Sequence, residues 1–311
     1  MKRRFYGRLG LLRPPPGRGG VIWVQAGGGD SVRLGVELVR AIRERRRDIR
    51  LALTFHEERP GDLKMLAGLG KVGIGWGARG ARAVQRAMKR LSPLGVISVS
   101  PHPLPPGTRA IAFHIPPMGD FEAAYPGSPE EEAAWRRSGR AKYVAPPAQV
   151  RTLLIPGQVE PTLKALLGGD IFWLHGLAPN IRAWRASPLA RRSLLLVSGI
   201  RIPLPPMERR RYPPGSVLSV EAPWFPAVAA ASSGSHIHDE GHWALWHALA
   251  GGGPVDSGKI PFSRILARWE GYQADPHLAR ARGDEGRRSF WQERQRAASQ
   301  IEALLERIWA W

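Results

Sequence analysis

The sequence predicts an α/β protein built on parallel sheets. Three observations predict it. Short apolar runs alternate with stretches of helical period, the order β-α-β is already complete by residue 55, and the first apolar run ends in glycines that open a helix. Val21-Ile-Trp-Val-Gln-Ala26 is apolar almost throughout, as a parallel strand covered on both faces should be. Gly27, Gly28 and Gly29 follow, then Asp30. Val32, Val36, Leu38, Val39 and Ile42 recur at helical spacing, and the helix ends on Arg43-Glu-Arg-Arg-Arg47, cations that suit the negative end of its dipole. Ile49 to Phe55 reads as the second strand.

Upstream, Pro14-Pro-Pro-Gly-Arg-Gly-Gly20 is a linker, stiff at its proline end. Downstream, Lys64 to Gly70 reads as a short helix, Val72 to Trp76 as a strand, and Ala81 to Leu91 as a basic amphipathic helix. Val96 to Val99 and Ile111 to Ile115 are further strands. Residues 116 to 147 carry no clear period, with frequent Pro and Gly and an acidic cluster at Glu130-Glu-Glu132; they read as a loop-rich or interdomain segment. The pattern resumes at Val150 to Ile155. A helix near Pro161 to Leu167, a strand Ile171 to Leu174, a helix around Asn180 to Arg185 and a strand Leu194 to Val197 follow. Pro203 to Pro214 is a proline and arginine loop, and Phe290, Ile301, Leu304, Leu305 and Ile308 mark a long C-terminal helix.

Composition narrows the function classes. With 311 residues and 43% hydrophobic content, the chain can bury one large core or two ordinary ones. It has no cysteine, which excludes disulfides, thiolate zinc sites and cysteine nucleophiles and fits a reducing compartment. Its 46 basic and 26 acidic residues give a net charge of +20, which calls for an anionic partner: nucleic acid, an anionic membrane face or a phosphorylated substrate. The excess of arginine is also what a GC-rich genome would produce. No apolar run is long enough for a transmembrane helix. The leader Met1 to Arg13 is a poor signal peptide; its interleaved Phe5, Tyr6, Leu9, Leu11 and Leu12 suit either a membrane surface or an ordinary first helix. The basic runs Arg43 to Arg47 and Arg209 to Arg211 have only Tyr212 adjacent among aromatics, so specific nucleic-acid binding is not expected.

Four constellations carry candidate chemistry. The first is the turn Gly27-Gly-Gly-Asp30. A strand that ends in glycines and opens a helix presents free backbone N–H groups to a ligand. Asp30 there is either a general base or a cap of the helix that follows. The turn is not GxGxxG, and no acid is placed for a dinucleotide ribose, so a dehydrogenase is disfavoured. The second is Gly234-Ser-His-Ile-His-Asp-Glu240, with His242 and His247 nearby. Alternating His236, His238 and Glu240 invite a metal reading, but a polar binding loop ahead of a helix fits better. The third is His175 in Phe172-Trp-Leu-His-Gly-Leu-Ala-Pro-Asn180, and the fourth His102 in Ser100-Pro-His102; each follows a strand, on the ligand side of an open α/β sheet. Walker A, GxSxG and HExxH motifs are absent from the sequence.

The order of features resembles the 3-deoxy-D-manno-octulosonic acid (Kdo) transferases. That family begins with a basic aromatic leader, then proline and glycine, then an apolar strand ending in H-x-x-S-V-G-E, a helix of the type PLVRAL and a strand ending in threonines. This chain has Arg4-Phe-Tyr-Gly, Pro14-Pro-Pro-Gly, Ile22-Trp-Val-Gln-Ala-Gly-Gly-Gly-Asp30, Glu37-Leu-Val-Arg-Ala-Ile42, Arg47-Asp-Ile and Leu51-Ala-Leu-Thr54. The family's G-G-H-N-P-L-E motif is echoed by Gly234, His236 and Glu240, and its later segments by Gly253-Pro-Val, Phe262-x-x-Ile-x-Ala-Arg and Arg288-Ser-Phe290. The middle matches weakly.

The resemblance implies a GT-B-like fold: two Rossmann-type parallel-sheet domains facing a cleft, the second reduced. It implies an acceptor-side domain over residues 1–145 and a shortened donor-side domain over 146–311, ending in the C-terminal helix. The implied reaction moves Kdo, or a similar sugar acid, from a CMP-sugar to a lipid A-type phosphorylated acceptor, with no metal and no cofactor beyond that donor. Asp30 would be the base, with Gln25, Gly28, Gly29 and Ser31 shaping the acceptor-side turn. Gly234, Ser235, His236 and Glu240 would bind the donor. Counted without a gap, the family's basic Glu falls on Ser31, and its motif His on Gln25. The implied location is the cytoplasmic face of the inner membrane, bound peripherally to an anionic glycolipid. The alternative is a catalytically inactive relative that binds a lipid, a sugar or a protein.

Overall fold

A computed structural model of the protein describes residues 7–28, 30–56, 72–102, 104–155, 162–239 and 243–310, without the side chains of Asp30, Leu154 and Trp309. It divides into two compact units, Met1–Arg151 with Gln295–Trp311, and Thr152–Arg294.

The first unit is built on six strands: β1 (Val21–Gln25), β2 (Arg50–Phe55), β3 (Val72–Trp76), β4 (Pro93–Ser98), β5 (Ala110–Phe113) and β6 (Ala123–Tyr125). They form one sheet in the order β3-β2-β1-β4-β5-β6, with every pair parallel. Its helices are α1 (Asp30–Arg45), α2 (Ala81–Leu91) and α3 (Pro129–Ser138). The whole of β1 is buried, because both faces of a parallel sheet are covered by the crossovers that connect it. On one face Val21, Trp23, Ala52 and Val96 pack with Val84 and Ala87 of α2. The outer face of α2 carries exposed Arg82, Arg86, Lys89 and Arg90, so its amphipathic period sorts core from charge.

Helix α3 and strand β6 lie in the stretch that reads as loop-rich from its period, which corrects that expectation. The helix begins at a local signal. Ser128 caps it by accepting the Glu131 N–H at 3.3 Å, Pro129 occupies the first turn, and Glu131 reaches back to the Gly127 N–H at 2.8 Å. Gly139 closes it in the left-handed conformation.

The second unit has five strands: β7 (Asp170–His175), β8 (Ser193–Ser198), β9 (Val217–Ser219), β10 (Ser232–Ile237) and β11 (Val255–Ser257). Their order is β11-β10-β7-β8-β9, again all parallel. Its helices are α4 (Thr162–Leu167), α5 (Ile181–Ala186), α6 (Phe225–Ala231), α7 (Ala244–Gly251) and α8 (Phe262–Ala274). Residues Val150–Leu154 form a 3-10 helix. Two apolar clusters cover the sheet, one through α6 and α7 around Trp173 and the other through α8 around Phe172 and Trp269.

The last helix, α9 (Pro276–Trp309), is 34 residues long. Its final third is tied to the first sheet by side chains. Gln300 donates to the carbonyls of Pro126 at 3.1 Å and Pro146 at 2.9 Å, and the Tyr125 hydroxyl donates to the Ala303 carbonyl at 3.0 Å. The segment expected as a helix at Lys64 to Gly70 lies outside the described residues, as does Met1 to Tyr6 of the leader.

Candidate functional site

Each sheet has one place where the chain reverses its direction of winding. In the first unit β1 leads outward to β2 and β3, and the chain then returns to place β4 on the other side of β1. The crevice beyond the carboxyl ends of β1 and β4 is therefore the switch point, where open α/β sheets hold ligands. In the second unit the same logic places it between β7 and β10.

At the first switch point the strands end in two polar rows on one sheet face. Side chains alternate along a strand, so Gln25 shares the face of Trp23, His56 that of Thr54, and Ser100 that of Ser98. The first row is Thr54, Gln25 and Ser98, brought level by the pairing Gln25↔Thr54 and Gln25↔Ser98. Thr54 accepts the Trp23 indole N–H at 2.9 Å, and Ser98 donates to the Ser100 carbonyl at 2.7 Å. The second row is His56, Gly27 and Ser100, with Gly27 as its hub. Its carbonyl accepts the His56 N–H at 2.8 Å, and its N–H donates to Ser31 Oγ at 3.0 Å. A Cβ on Gly27 would lie 2.9 Å from the Ser100 Cβ, so no larger residue fits between the strands.

Several groups here are buried with no partner: Gln25 Oε1, Ser100 Oγ and His102 Nε2. Gln25 is 4% exposed and Ser100 5%. Buried polar atoms are nearly always paired in folded proteins, and a bound water or ion is one explanation for an exception. The His102 ring meets the His56 ring edge-on, 4.1 Å between centres. Burial, then the charges of His102, Arg79 and Arg8, pushes His56 down to about 4. Burial also lowers His102, against a hydrogen bond to the Pro101 carbonyl that raises it, while Arg79 lowers it further.

Asp30 is the first residue of α1, and its side chain is outside what is described, as is the whole of Gly29. Ser31 closes the turn: besides accepting the Gly27 N–H, its hydroxyl donates to the Gly28 carbonyl at 2.8 Å. Gly28 is half-buried.

The second switch point is organised differently. His175 ends β7, 4% exposed, with Nδ1 2.8 Å from Ser198 Oγ. The same oxygen accepts the Trp173 indole N–H at 2.8 Å. Gly199, in the left-handed conformation, lets the chain pass under the imidazole, since a Cβ there would lie 2.6 Å from its Cε1. Phe225, Trp243 and His247 surround this corner: Phe225 is 5.7 Å from His175, and Trp243 is 4.8 Å from His247.

The donor-side residues named from the sequence fall inside β10 rather than on its tip. Gly234 is a packing position, where a Cβ would lie 2.9 Å from Trp269 Cδ1 and 3.1 Å from Phe172. Ser235 is buried and hydrogen-bonds the Ser232 hydroxyl at 3.1 Å. His236 is fully buried, and burial holds it at about 4 despite the opposing charge of Asp256 and a hydrogen bond to the Gly258 backbone. Strand alternation sends His236 to the α8 side of the sheet and His175 to the α6 and α7 side, so they do not share a site. Glu240 and His242 lie outside the described residues. The residues at the tip are His238 and Asp239: the His238 N–H donates to the His175 carbonyl at 3.0 Å, beside Gly176. Among the described residues no group of three His, Cys, Asp or Glu side chains is placed to hold a metal ion.

His56, Arg79 and the pairing of His102 with His56 escape a reading of the sequence. His56 directly follows a strand, as His102 does, but only the folded sheet shows that β2 and β4 flank the same strand.

The sequence matches no protein-family model and no curated protein. Solved structures do match over almost the whole chain. The HepE protein of Anabaena, in complex with UDP and glucose, is 9% identical, with 94% of this chain and 100% of that one covered at a TM-score of 0.60. A glycosyltransferase from Rickettsia africae is 8% identical, with coverage of 94% and 99% and a TM-score of 0.60. A UDP-GlcNAc 2-epimerase from Neisseria meningitidis, bound to UDP-GlcNAc, is 7% identical, with coverage of 92% and 100% and a TM-score of 0.58. At these identities the likeness carries the fold alone. The chain has a glycosyltransferase-like fold of the GT-B type, two Rossmann-type parallel-sheet units with helices on both faces.

Proposed function

We propose that the protein is a glycosyltransferase that moves a sugar from a nucleotide donor to an anionic acceptor. More narrowly, it would transfer Kdo or a similar sugar acid from a CMP-sugar to a lipid A-type phosphorylated acceptor in lipopolysaccharide biosynthesis. The observation that carries the reading is the polar crevice at the first switch point, with its buried unpartnered groups directly beside the glycine turn of Asp30. The GT-B-type fold supports it, and so does the partial resemblance of the sequence to the Kdo transferases. Two of these solved neighbours carry UDP or a UDP-sugar, so the donor nucleotide is the first specificity to test.

In this reading residues 1–145 take the acceptor and residues 146–311 the donor. Asp30 removes the proton from an acceptor hydroxyl. The oxygen then attacks the anomeric carbon, the bond from that carbon to the nucleotide phosphate breaks, and CMP leaves with the electron pair. No cofactor beyond the donor takes part. Gln25, Gly28 and Gly29 shape the acceptor turn, and Glu240 serves the nucleotide side. The charge of +20 and the exposed cations of α2 suit peripheral attachment to the cytoplasmic face of the inner membrane. No helix among the described residues is long and apolar enough to cross a membrane.

A second reading, an inactive relative that binds a lipid, sugar or protein, is favoured by Ser31. That residue stands where the family's basic Glu falls, and its hydroxyl is spent on closing the turn. Incubation with CMP-Kdo and a lipid A precursor separates the two. Transfer supports the enzyme; absence of transfer, with CMP bound in calorimetry, supports the binding protein. Transfer from a UDP-sugar and none from CMP-Kdo would overturn the narrower donor assignment.

A further inference from the structure

We propose that the crevice where β2, β1 and β4 end is an anion subsite, in which Ser100, His102, His56 and Arg79 take a phosphate or carboxylate group. The proposal deepens the acceptor site above and rests on that reading only for which molecule carries the anion.

Three observations converge. Ser100 Oγ and His102 Nε2 are buried and make no hydrogen bond, so two polar groups in the crevice lack the partner that burial demands. The His56 and His102 rings lie 4.1 Å apart, an arrangement that repels when both rings are charged unless an anion sits beside them. Arg79 is exposed, acts electrostatically on both rings, and pairs with no carboxylate among the described residues. Arg8, stacked over Trp76 at 5.9 Å, adds a second positive charge acting on His56. The crevice thus assembles donors and positive potential from the described side chains. Asp30 begins the neighbouring helix α1, and the N–H groups of that helix start add to the anion preference.

The histidines make the subsite proton-linked. Burial and the charges of Arg79 and Arg8 hold His56 down at about 4, and burial and Arg79 lower His102. A bound anion reverses the balance, because an opposite charge within a few ångströms favours the imidazolium. Binding should therefore draw a proton onto the pair, and affinity should rise as the pH falls from 8 to 6.

The test is an NMR titration of the full chain with two probes, inorganic phosphate and free Kdo, read at the ring Cε1–H signals of His56 and His102. Assignment comes from His56→Gln and His102→Gln. The expected result is saturable binding of at least one probe, with a histidine shift toward the charged form. Arg79→Gln, at an exposed position, should weaken it about tenfold, the loss of one charge-assisted contact. The pH dependence is read with Kdo, whose carboxylate stays ionised over that range. Phosphate alone binding identifies a phosphoryl group as the ligand, and Kdo alone a sugar carboxylate. No shift with either probe, or equal affinity in wild type, Arg79→Gln and His102→Gln, overturns the subsite. If the anion binds and no sugar is transferred, the transferase reading falls alone. If transfer proceeds and both variants keep the wild-type KM for acceptor, the subsite falls alone.

Discussion

The two units share one topology and finish it in opposite ways. At the first switch point Gln25 Oε1, Ser100 Oγ and His102 Nε2 have no partners, and the charges of Arg79 and Arg8 act on neighbouring His56. At the second, His175 is held by Ser198, which also takes the Trp173 indole, and aromatic rings close around it. Equal topology supplies equal positions for a ligand, and the side chains decide which position is open to charge. The first crevice is built for an anion. The second is an apolar corner whose polar tip is Asp239 and His238, the latter with a buried, unpartnered Nδ1.

The largest effect expected is on chemistry. Asp30→Ala should lower kcat for sugar transfer by about 100-fold to 10,000-fold, the usual worth of a general base. A fall of less than tenfold would make Asp30 a helix cap and would break the parallel between a reactive first unit and a supporting second one. Next, Trp269→Ala should cost about 3–5 kcal/mol, since the ring is fully buried and packs 4.9 Å from Phe172. Hydrogen exchange should report that loss in β7, β10 and α8, and a change confined to the first unit would contradict it. Ser198→Ala removes the partner of both Trp173 and His175 and should cost about 1–3 kcal/mol in denaturant unfolding.

The pH dependence sharpens the comparison further, because each unit carries a histidine held near 4. His114 in the first unit and His236 in the second are both lowered mainly by burial from the ordinary 6.5 to about 4. Native rings stay neutral in that window while the unfolded chain's imidazoles take up protons. The unfolded state then binds more protons, so stability present above about pH 6.5 is lost as the pH falls toward 4. Denaturation midpoints at pH 7, 5.5 and 4 should decline in that order, and a flat series would contradict the burial of both rings. The smallest effect is Ser128→Ala, which removes the cap of α3 and should cost about 1 kcal/mol.

Most of the strand–helix alternation was legible. Val21 to Ala26, Ile49 to Phe55 and Val72 to Trp76 are strands within a residue of where apolar runs place them, and Ala81 to Leu91 is the helix that its period demands. Such elements bury one face or two, and burial writes itself into the sequence as periodicity. Helix α3 was missed because only Trp135 is buried in it; its signal is the cap Ser128-Pro-Glu-Glu, which is local and carries no period. The donor-side motif was read as a loop, yet Gly234, Ser235 and His236 lie within β10. Small and polar residues look like a turn until Phe172 and Trp269 are seen to fill the space that Gly234 leaves.

The fold class, the parallel strands and the glycine turn that leads into Asp30 follow from the order of residues along the chain. Those depend on contacts near in the chain or on an apolar face repeated at fixed spacing. It took the folded sheets to bring His56 and His102 together beside Ser100, and to part His175 from His236 on opposite faces. The reason is that strand order is set by packing across crossovers of tens of residues, and side-chain neighbourhood follows strand order rather than distance along the chain.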